Sequence, residues 1–159
     1  MRIGVLSDTH IPRTADWIPM QVCDGLAKVD LILHAGDLTE KEVLDRLQKI
    51  APTRAVLGNM DENELKDLLP RKEIIEAGKF RIGLIHGFGP PFGLMDRVRK
   101  EFGKVDAIVF GHSHSPVNQV RNGVLFFNPG SPTDRIFARQ SSYGILEING
   151  TIKGEIIKL

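Results

Sequence analysis

Short runs of consecutive apolar residues alternate, over the first 110 residues, with segments in which apolar residues recur every three or four positions. The apolar runs are rich in Ile, Val and Leu, which is typical of strands covered on both faces of a sheet. We predict five such strands, at Arg2–Ser7, Asp30–Ala35, Thr53–Gly58, Phe80–His86 and Val105–Phe110.

The intervening segments predict helices. Thr39 followed by Glu42, and Asp61 followed by Glu64, are capping-box patterns placed ahead of apolar stripes, and each would begin a helix. The same periodicity predicts a helix that stops at a glycine and a weaker helix with a proline in its first turn. These two helices are Phe92–Phe102 and Trp17–Lys28.

The remaining strands are predicted as hairpins. Asn-Gly pairs at 122–123 and 149–150 separate β-type runs, and Gly78 separates a further pair. The paired runs are Val117–Val120 with Val124–Phe127, Tyr143–Ile148 with Ile152–Ile157, and Ile74–Glu76 with Phe80–Leu84. The pattern therefore predicts an α/β domain with mixed sheets, parallel early and antiparallel late. Two packed sheets with helices outside would accommodate this many strands.

Composition narrows the class of protein only a little. A length of 159 residues, 42% hydrophobic and 26% charged, predicts a single globular domain over residues 1–159. The net charge of +1 gives no overall preference for nucleic acid or membranes. The single cysteine, Cys23, is expected in the core and fits a reducing compartment. No apolar run suits a signal peptide or a membrane span, so we expect a cytoplasmic location.

Polar side chains cluster where the predicted strands end. In sheets of this kind, ligands bind in the crevice outside the carboxyl ends of the strands. We therefore expect seven residues to face one point, with the pairs 8/10 and 112/114 each on one side of an extended segment. They are Asp8, His10, Asp37, Asn59, His86, His112 and His114.

These oxygen and imidazole groups are candidate metal ligands. A donor set without thiolate suits Mn, Fe, Ni or Zn. Seven ligands are too many for one ion but divide well between two, with Asp37 as the expected bridge between ions about 3.5–4 Å apart. Two carboxylates leave such a pair of divalent ions with excess positive charge, which indicates an anionic, phosphate-containing substrate.

Five short motifs resemble, in order, those of the calcineurin-like metallophosphoesterases. They are "DTH" (8–10), "GDL" (36–38), "GNMD" (58–61), "HG" (86–87) and "GHSH" (111–114). The short length and the "NPGS" at 128–131 resemble the small YfcE-like phosphodiesterase branch. The resemblance implies a four-layer αββα sandwich of two mixed β-sheets flanked by helices, with a dinuclear centre.

The resemblance also implies a distribution of ligands and a reaction. One metal would take Asp8, His10, Asp37 and His114, and the other Asp37, Asn59, His86 and His112. A hydroxide bridging the ions would attack phosphorus in line, which makes Asp37, Asn59 and His86 the expected catalytic residues. Two divalent ions are expected as cofactors, manganese first, with nickel, iron(II) or zinc as alternatives.

One position departs from the family pattern. Many members carry a histidine after the Gly-Asn motif and use it to protonate the leaving group, whereas this chain has Met60. A thioether cannot donate a proton, so general-acid catalysis from this position is lost. The phosphodiesterase branch often has cysteine there, so Met60 is compatible with membership. Asp61 is retained and is expected to serve only as a helix cap.

Several assignments stay open. Arg13 is a candidate phosphate contact or a solvated arginine, and "NPGS" is a pocket rim or a simple turn. His34, one residue inside its strand end, is expected to be structural. The leading function is hydrolysis of a small phosphodiester. The alternatives are a non-enzymatic scaffold resembling a retromer subunit, or a phosphomonoesterase. No basic stripe with aromatics favours nucleic acid, and a homo-oligomer is left open.

Overall fold

Two five-stranded sheets form the centre of the fold in the computed structural model, which describes residues 1–134, 136, 138 and 140–159. In chain order the elements are β1 (Arg2–Leu6), α1 (Met20–Leu26), β2 (Leu31–His34), α2 (Lys41–Gln48), β3 (Thr53–Ala55), α3 (Asn63–Leu68), β4 (Lys72–Ala77), β5 (Phe80–Ile85), α4 (Leu94–Lys100), β6 (Ala107–Val109), β7 (Val117–Arg121), β8 (Val124–Asn128), β9 (Ser142–Ile148) and β10 (Ile152–Lys158).

Both sheets are mixed, as predicted. The first has the order β10-β9-β1-β2-β3, in which β1, β2 and β3 are parallel and β9 runs antiparallel to both of its neighbours. The second has the order β4-β5-β6-β8-β7, in which β5, β6 and β8 are parallel and the two edge strands are antiparallel. The three predicted hairpins all form.

Buried side chains show that the molecule has four layers. Val5 and Leu33 of the first sheet pack against Leu84, Val109 and Phe127 of the second in one apolar cluster. The outer face of the first sheet is covered by α1, α2 and α3, and the outer face of the second by α4. The buried residues that make these outer contacts include Leu26, Leu47, Leu65 and Val98. The predicted αββα sandwich is confirmed.

The two predicted capping boxes are wrong. Helices α2 and α3 begin after Glu40 and Glu62, and neither of these side chains makes a capping hydrogen bond. Thr39 instead has a φ of 88° and a buried hydroxyl with no hydrogen-bond partner among the described residues. The carboxylate of Asp61 is bonded to backbone N–H groups of the neighbouring loops, so it is not available to cap a helix.

The two remaining predicted helices form with shorter bounds, whereas the hairpin strands β4, β7, β8, β9 and β10 are longer than predicted. The weaker helix begins at Met20, directly after Pro19, and α4 begins after Gly93, whose φ is 72°. The predicted strands at the site end one to three residues early, because the chain turns there into loops. Cys23 is half-buried and packs against the core, as expected. Within the described residues, no helix has the length and apolar character needed to cross a membrane.

Candidate metal centre

The structure brings all seven predicted site residues together at one end of the two sheets. They lie on the loops that follow β1, β2 and β3 of the first sheet and β5 and β6 of the second. The carboxyl ends of these parallel strands meet at this edge, where ligands bind in sheets of this kind. The residues are Asp8, His10, Asp37, Asn59, His86, His112 and His114.

Most of these residues have a left-handed backbone, so the expected extended segments are wrong. The φ angles are 55° at Asp8, 46° at His10, 58° at Asp37, 70° at His112 and 53° at His114. Non-glycine residues in this region carry strain of order 1–3 kcal/mol each, and such residues cluster at functional sites. Because of these turns, the side chains of His112 and His114 reach different parts of the site.

The first group of ligand atoms contains Asp8, His10 and His114. The Nε2 atom of His114 lies 3.3 Å from Oδ1 of Asp8 and 3.2 Å from Nε2 of His10. These three residues can each offer one ligand atom to a single ion.

The second group contains Asp8, Asp37 and His86. The Nε2 atom of His86 lies 3.4 Å from Oδ2 of Asp37 and 3.1 Å from Oδ1 of Asn59. That amide oxygen lies 3.1 Å from Nδ1 of His112 as well, so Asn59 links His86 and His112. Oδ2 of Asp37 lies 3.6 Å from Nε2 of His10, and this carboxylate therefore stands between the two groups.

Two motif glycines allow the loops to approach one another this closely. A Cβ atom at Gly58 would collide with the carboxylate and backbone nitrogen of Asp37, and one at Gly111 would collide with Ser7. Any side chain at either position would therefore displace a residue of the site. This is the physical reason for glycine at the start of the "GNMD" and "GHSH" motifs.

Asp61 holds two of the site loops in register. Its carboxylate accepts hydrogen bonds from the backbone N–H groups of Gly58 (2.7 Å), Thr39 (2.8 Å) and Asp37 (3.3 Å). The next bond in this network is from the Met60 N–H to Oδ1 of Asp37, at 2.7 Å. That bond leaves Oδ2 of Asp37 facing the histidines.

Asp134 is a site residue that sequence reasoning missed. Its Oδ2 atom contacts Nδ1 of His114, and the carboxylate also accepts the backbone N–H groups of Ile136 and Ala138. In many metal sites, a carboxylate accepts a hydrogen bond from the histidine ring nitrogen that does not bind the metal, and this contact fixes the orientation of the ring. That rule was the available signal, but no spacing in the sequence identifies which carboxylate plays the part.

The "NPGS" loop is neither a pocket rim nor a simple turn. Asn128 donates hydrogen bonds to the carbonyl of Gly111 and the hydroxyl of Ser113, while its own Oδ1 accepts from the Gly130 N–H. The Ser131 hydroxyl donates to the carbonyl of Asp8 at 2.7 Å. This buried loop therefore connects, through hydrogen bonds, the loop that carries Asp8 and the loop that carries His112 and His114.

The site concentrates charge in a buried place. Burial opposes ionisation of Asp8 and Asp37, but hydrogen bonds and positive charge from the surrounding histidines outweigh it and lower both pKa values. Burial likewise opposes protonation of His86 and His114. Asp37 and Asp8 nevertheless raise the pKa of the His86 ring to about 9, and Asp8 and Asp134 raise the pKa of the His114 ring to about 9. The pKa of His10 is lowered, mainly by burial. The carboxylates and the rings therefore favour each other's charged forms within the site.

His34 is separate from this cluster and has a structural environment. The Gly36 N–H donates to its Nδ1 atom at 3.2 Å, and its Nε2 atom pairs with the Thr9 hydroxyl at 3.2 Å. Burial lowers the pKa of His34 to about 3, so the ring is neutral. The expectation of a structural histidine agrees with these contacts.

A cavity of about 490 Å³ opens over the ligand cluster. Arg13 and Met60 line it together with apolar groups from Pro91 and Ile136, and both Met60 and Ile136 expose apolar surface. We refer to it as the mouth cavity. Among the lining residues that the structure describes, Arg13 is the arginine at the entrance to the site.

Comparison with known proteins identifies the family. The model of the calcineurin-like phosphoesterase superfamily domain matches residues 1–151. A probable metallophosphoesterase of Methanothermobacter thermautotrophicus is 44% identical over 136 residues, covering 84% of this chain and 78% of the relative. A Thermotoga maritima protein solved by solution NMR has a TM-score of 0.78 at 33% identity, covering 99% of both chains. Vps29 of Entamoeba histolytica complexed with Zn²⁺ has a TM-score of 0.76 at 30% identity, again with 99% coverage of both chains.

The chain belongs to the calcineurin-like phosphoesterase superfamily, and the resemblance inferred from its motifs is confirmed. Family membership and the metallophosphoesterase relatives assign it the general activity of a metal-dependent phosphoesterase. The two groups of carboxylate and imidazole donors fit a divalent metal of the type that this activity requires.

Proposed function

We propose that this protein is a phosphodiesterase that hydrolyses small phosphodiesters with the help of two divalent metal ions. Asp8, His10, Asp37 and His114 would hold one ion, and Asp37, Asn59, His86 and His112 the other. The observation that carries this proposal is the position of Asp37, whose Oδ2 atom lies 3.6 Å from Nε2 of His10 and 3.4 Å from Nε2 of His86. One carboxylate oxygen is thus within reach of both ligand groups.

The donor atoms fit this assignment. Two nitrogen or oxygen atoms bound to one ion at about 2.1 Å lie about 3–3.5 Å apart. The Nε2 atoms of His10 and His114 are 3.2 Å apart, and Nε2 of His114 lies 3.3 Å from Asp8. Imidazole nitrogens that face each other and a carboxylate at these distances are arranged as ligands around a common centre.

The chain's own residues would bind and orient the substrate. Bound divalent ions would supply Lewis acidity toward the phosphoryl oxygens and would lower the pKa of a water molecule. Arg13, which lines the mouth cavity, would contact a non-reacting phosphate oxygen, for which a guanidinium is well suited. Asp134 would keep the His114 ring in its ligating orientation, and Asp61 would keep the Asp37 and Asn59 loops in register.

Manganese is our proposed metal, with nickel, iron(II) and zinc as the alternatives. Every proposed donor is a carboxylate or amide oxygen or an imidazole nitrogen, and this set suits any of these ions. The zinc complex of a related fold is a property of the Entamoeba histolytica protein and leaves the metal of this chain to be measured.

A diester substrate is favoured by Met60 and the apolar mouth cavity. The Met60 side chain is 39% exposed at the entrance and has no proton to give to a departing alkoxide. An aryl phosphodiester needs that proton least, because its leaving phenolate is a stabilised anion. A 2′,3′-cyclic phosphodiester is activated in a different way, by strain in its five-membered ring. An aromatic leaving group would also find apolar contacts in the mouth cavity.

The alternative is a non-enzymatic scaffold, which the Vps29 structural neighbours favour. Since one of these neighbours was solved with zinc, metal binding alone does not distinguish the two functions. A cytoplasmic location and a single domain over residues 1–159 remain predictions from the sequence, which leaves a homo-oligomer open.

Turnover of a matched pair of substrates separates these functions. Bis(4-nitrophenyl) phosphate and 4-nitrophenyl phosphate release the same leaving group, so the comparison isolates diester from monoester. We expect the manganese-loaded protein to prefer the diester and the Asp8→Asn variant to lose that activity. Preference for the monoester would favour a phosphomonoesterase, and a metal-loaded protein inactive on both compounds would favour the scaffold.

A further inference from the structure

A second cavity, of about 620 Å³, is also lined by Asn59. Asn59 and His86 line it at the metal centre, and Lys66, Arg71 and Lys72 line it elsewhere. We refer to it as the basic groove. Because Asn59 also lines the mouth cavity, the two cavities meet at a proposed metal ligand.

The basic groove carries uncompensated positive charge. Glu101 is the acidic side chain among its lining residues, and it is bonded to Lys72, whose Nζ lies 2.8 Å from the Glu101 carboxylate. Lys66 is bonded to the neutral amide oxygen of Asn63 at 3.0 Å. Arg71 is exposed and makes no hydrogen bond or ion pair with any residue that the structure describes.

We propose that the basic groove binds a second phosphate group of the substrate, with Arg71 as its main contact and Lys66 as an additional one. The proposal rests on the proposed function, since it assumes that the scissile phosphate lies at the metal centre. The substrate would then be a phosphodiester with a second phosphate group, which lies in the basic groove while the scissile phosphate is at the metal centre.

The chemistry of the lining residues suits a phosphorylated nucleoside. An unpaired guanidinium can bind a phosphate through two parallel N–H groups, which gives orientation as well as attraction. Phe88 lines the same groove and is 48% exposed, so it offers an apolar face on which a base or sugar can pack. Arg71 is solvent-exposed, so the attraction should weaken as ionic strength rises.

The kinetic test uses two substrates that differ by one phosphate group. These are the 4-nitrophenyl ester of thymidine 5′-phosphate with and without a phosphate on the 3′-oxygen. We expect the 3′-phosphate to raise kcat/KM about tenfold in the native protein. Arg71→Ala should reduce this ratio to about one, Arg71→Lys should retain part of it, and the distant control Lys79→Ala should leave it at about tenfold.

A binding measurement keeps this test independent of turnover. In isothermal titration calorimetry on the manganese-loaded protein, thymidine 3′,5′-bisphosphate should bind about tenfold more tightly than thymidine 5′-phosphate. Arg71→Ala should remove that difference. If neither ester is hydrolysed while the binding difference is present and depends on Arg71, the proposed function fails and the phosphate subsite stands. Equal binding of the two nucleotides, or a difference that survives in Arg71→Ala, would overturn the subsite.

Discussion

The Nε2 atoms of His10 and His114 lie 3.2 Å apart, although 104 residues separate the two histidines in the chain. His10 follows β1 of the first sheet, and His114 follows β6 of the second. Their contact therefore joins the two halves of the sandwich at the candidate site. An ion held between them would bind only the folded chain, and so would stabilise it.

Asp61 should stabilise the site loops rather than helix α3. Asp61→Ala removes a carboxylate that accepts three backbone N–H groups, at 2.7, 2.8 and 3.3 Å. We expect the free energy of unfolding to fall by about 2–4 kcal/mol, because buried donors lose their partner. Urea denaturation would measure it. The exposed control Asp67→Ala on α3 should change stability by less than about 0.5 kcal/mol. Equal effects of the two substitutions would contradict this role.

Asp134 should act through the orientation of His114. The near-isosteric Asp134→Asn weakens the contact to Nδ1 of His114 while retaining an oxygen for the Ile136 N–H. We expect metal affinity to fall about 10–100-fold with little change in the circular-dichroism spectrum. A competition titration against a chelating dye would measure this loss. An affinity equal to that of the native protein would show that the carboxylate has no part in metal binding.

Metal binding should depend on pH up to about pH 9. Coordination requires unprotonated ring nitrogens, whereas the pKa values of His86 and His114 are raised to about 9 before an ion binds. Both rings therefore hold protons at neutral pH, and an ion must displace them. Affinity should rise through pH 7 and 8 instead of levelling off near the ordinary histidine pKa of about 6.5. A titration series that reaches its plateau by pH 7 would be inconsistent with the raised pKa values.

Met60 should make the enzyme sensitive to the quality of the leaving group. In the native protein, kcat/KM should rise steeply as the pKa of the leaving alcohol falls, because no proton donor stands at this position. Met60→His should flatten that dependence, since the site is at the entrance and the side chain is 39% exposed. Aryl diesters of graded leaving-group pKa would measure both slopes. A flat slope in the native protein would mean that another residue supplies the proton.

The arrangement of the strands could be predicted from the sequence because each local signal agreed with the fold. Apolar runs marked the buried strands, and the Asn-Gly pair at 122–123 marked a hairpin, with φ angles of 51° and 76° at these residues. The meeting of seven polar residues followed from the rule that parallel strands share a carboxyl edge. These inferences needed only periodicity and chain direction.

The finer features of the site depend on contacts between residues distant in the chain. Asp61 has the spacing of a helix cap, but its carboxylate binds the backbone of Asp37 and Thr39, which are 24 and 22 residues away. Asp134 reaches His114 across 20 residues. The left-handed turns at Asp8 and His112 are imposed by the surrounding loops, so alternation along an extended segment placed their side chains wrongly.

Metal stoichiometry in the native protein and in Asp37→Ala tests the central claim most directly. The Oδ2 atom of Asp37 lies 3.6 Å from Nε2 of His10 and 3.4 Å from Nε2 of His86, so the loss of this carboxylate should remove at least one ion. Mass-spectrometric metal analysis after saturation with manganese should find two ions per native chain and at most one per Asp37→Ala chain, with nearly all turnover lost. The exposed control Asp67→Ala should keep both ions. A folded Asp37→Ala protein that retains two ions and full turnover would contradict the dinuclear assignment.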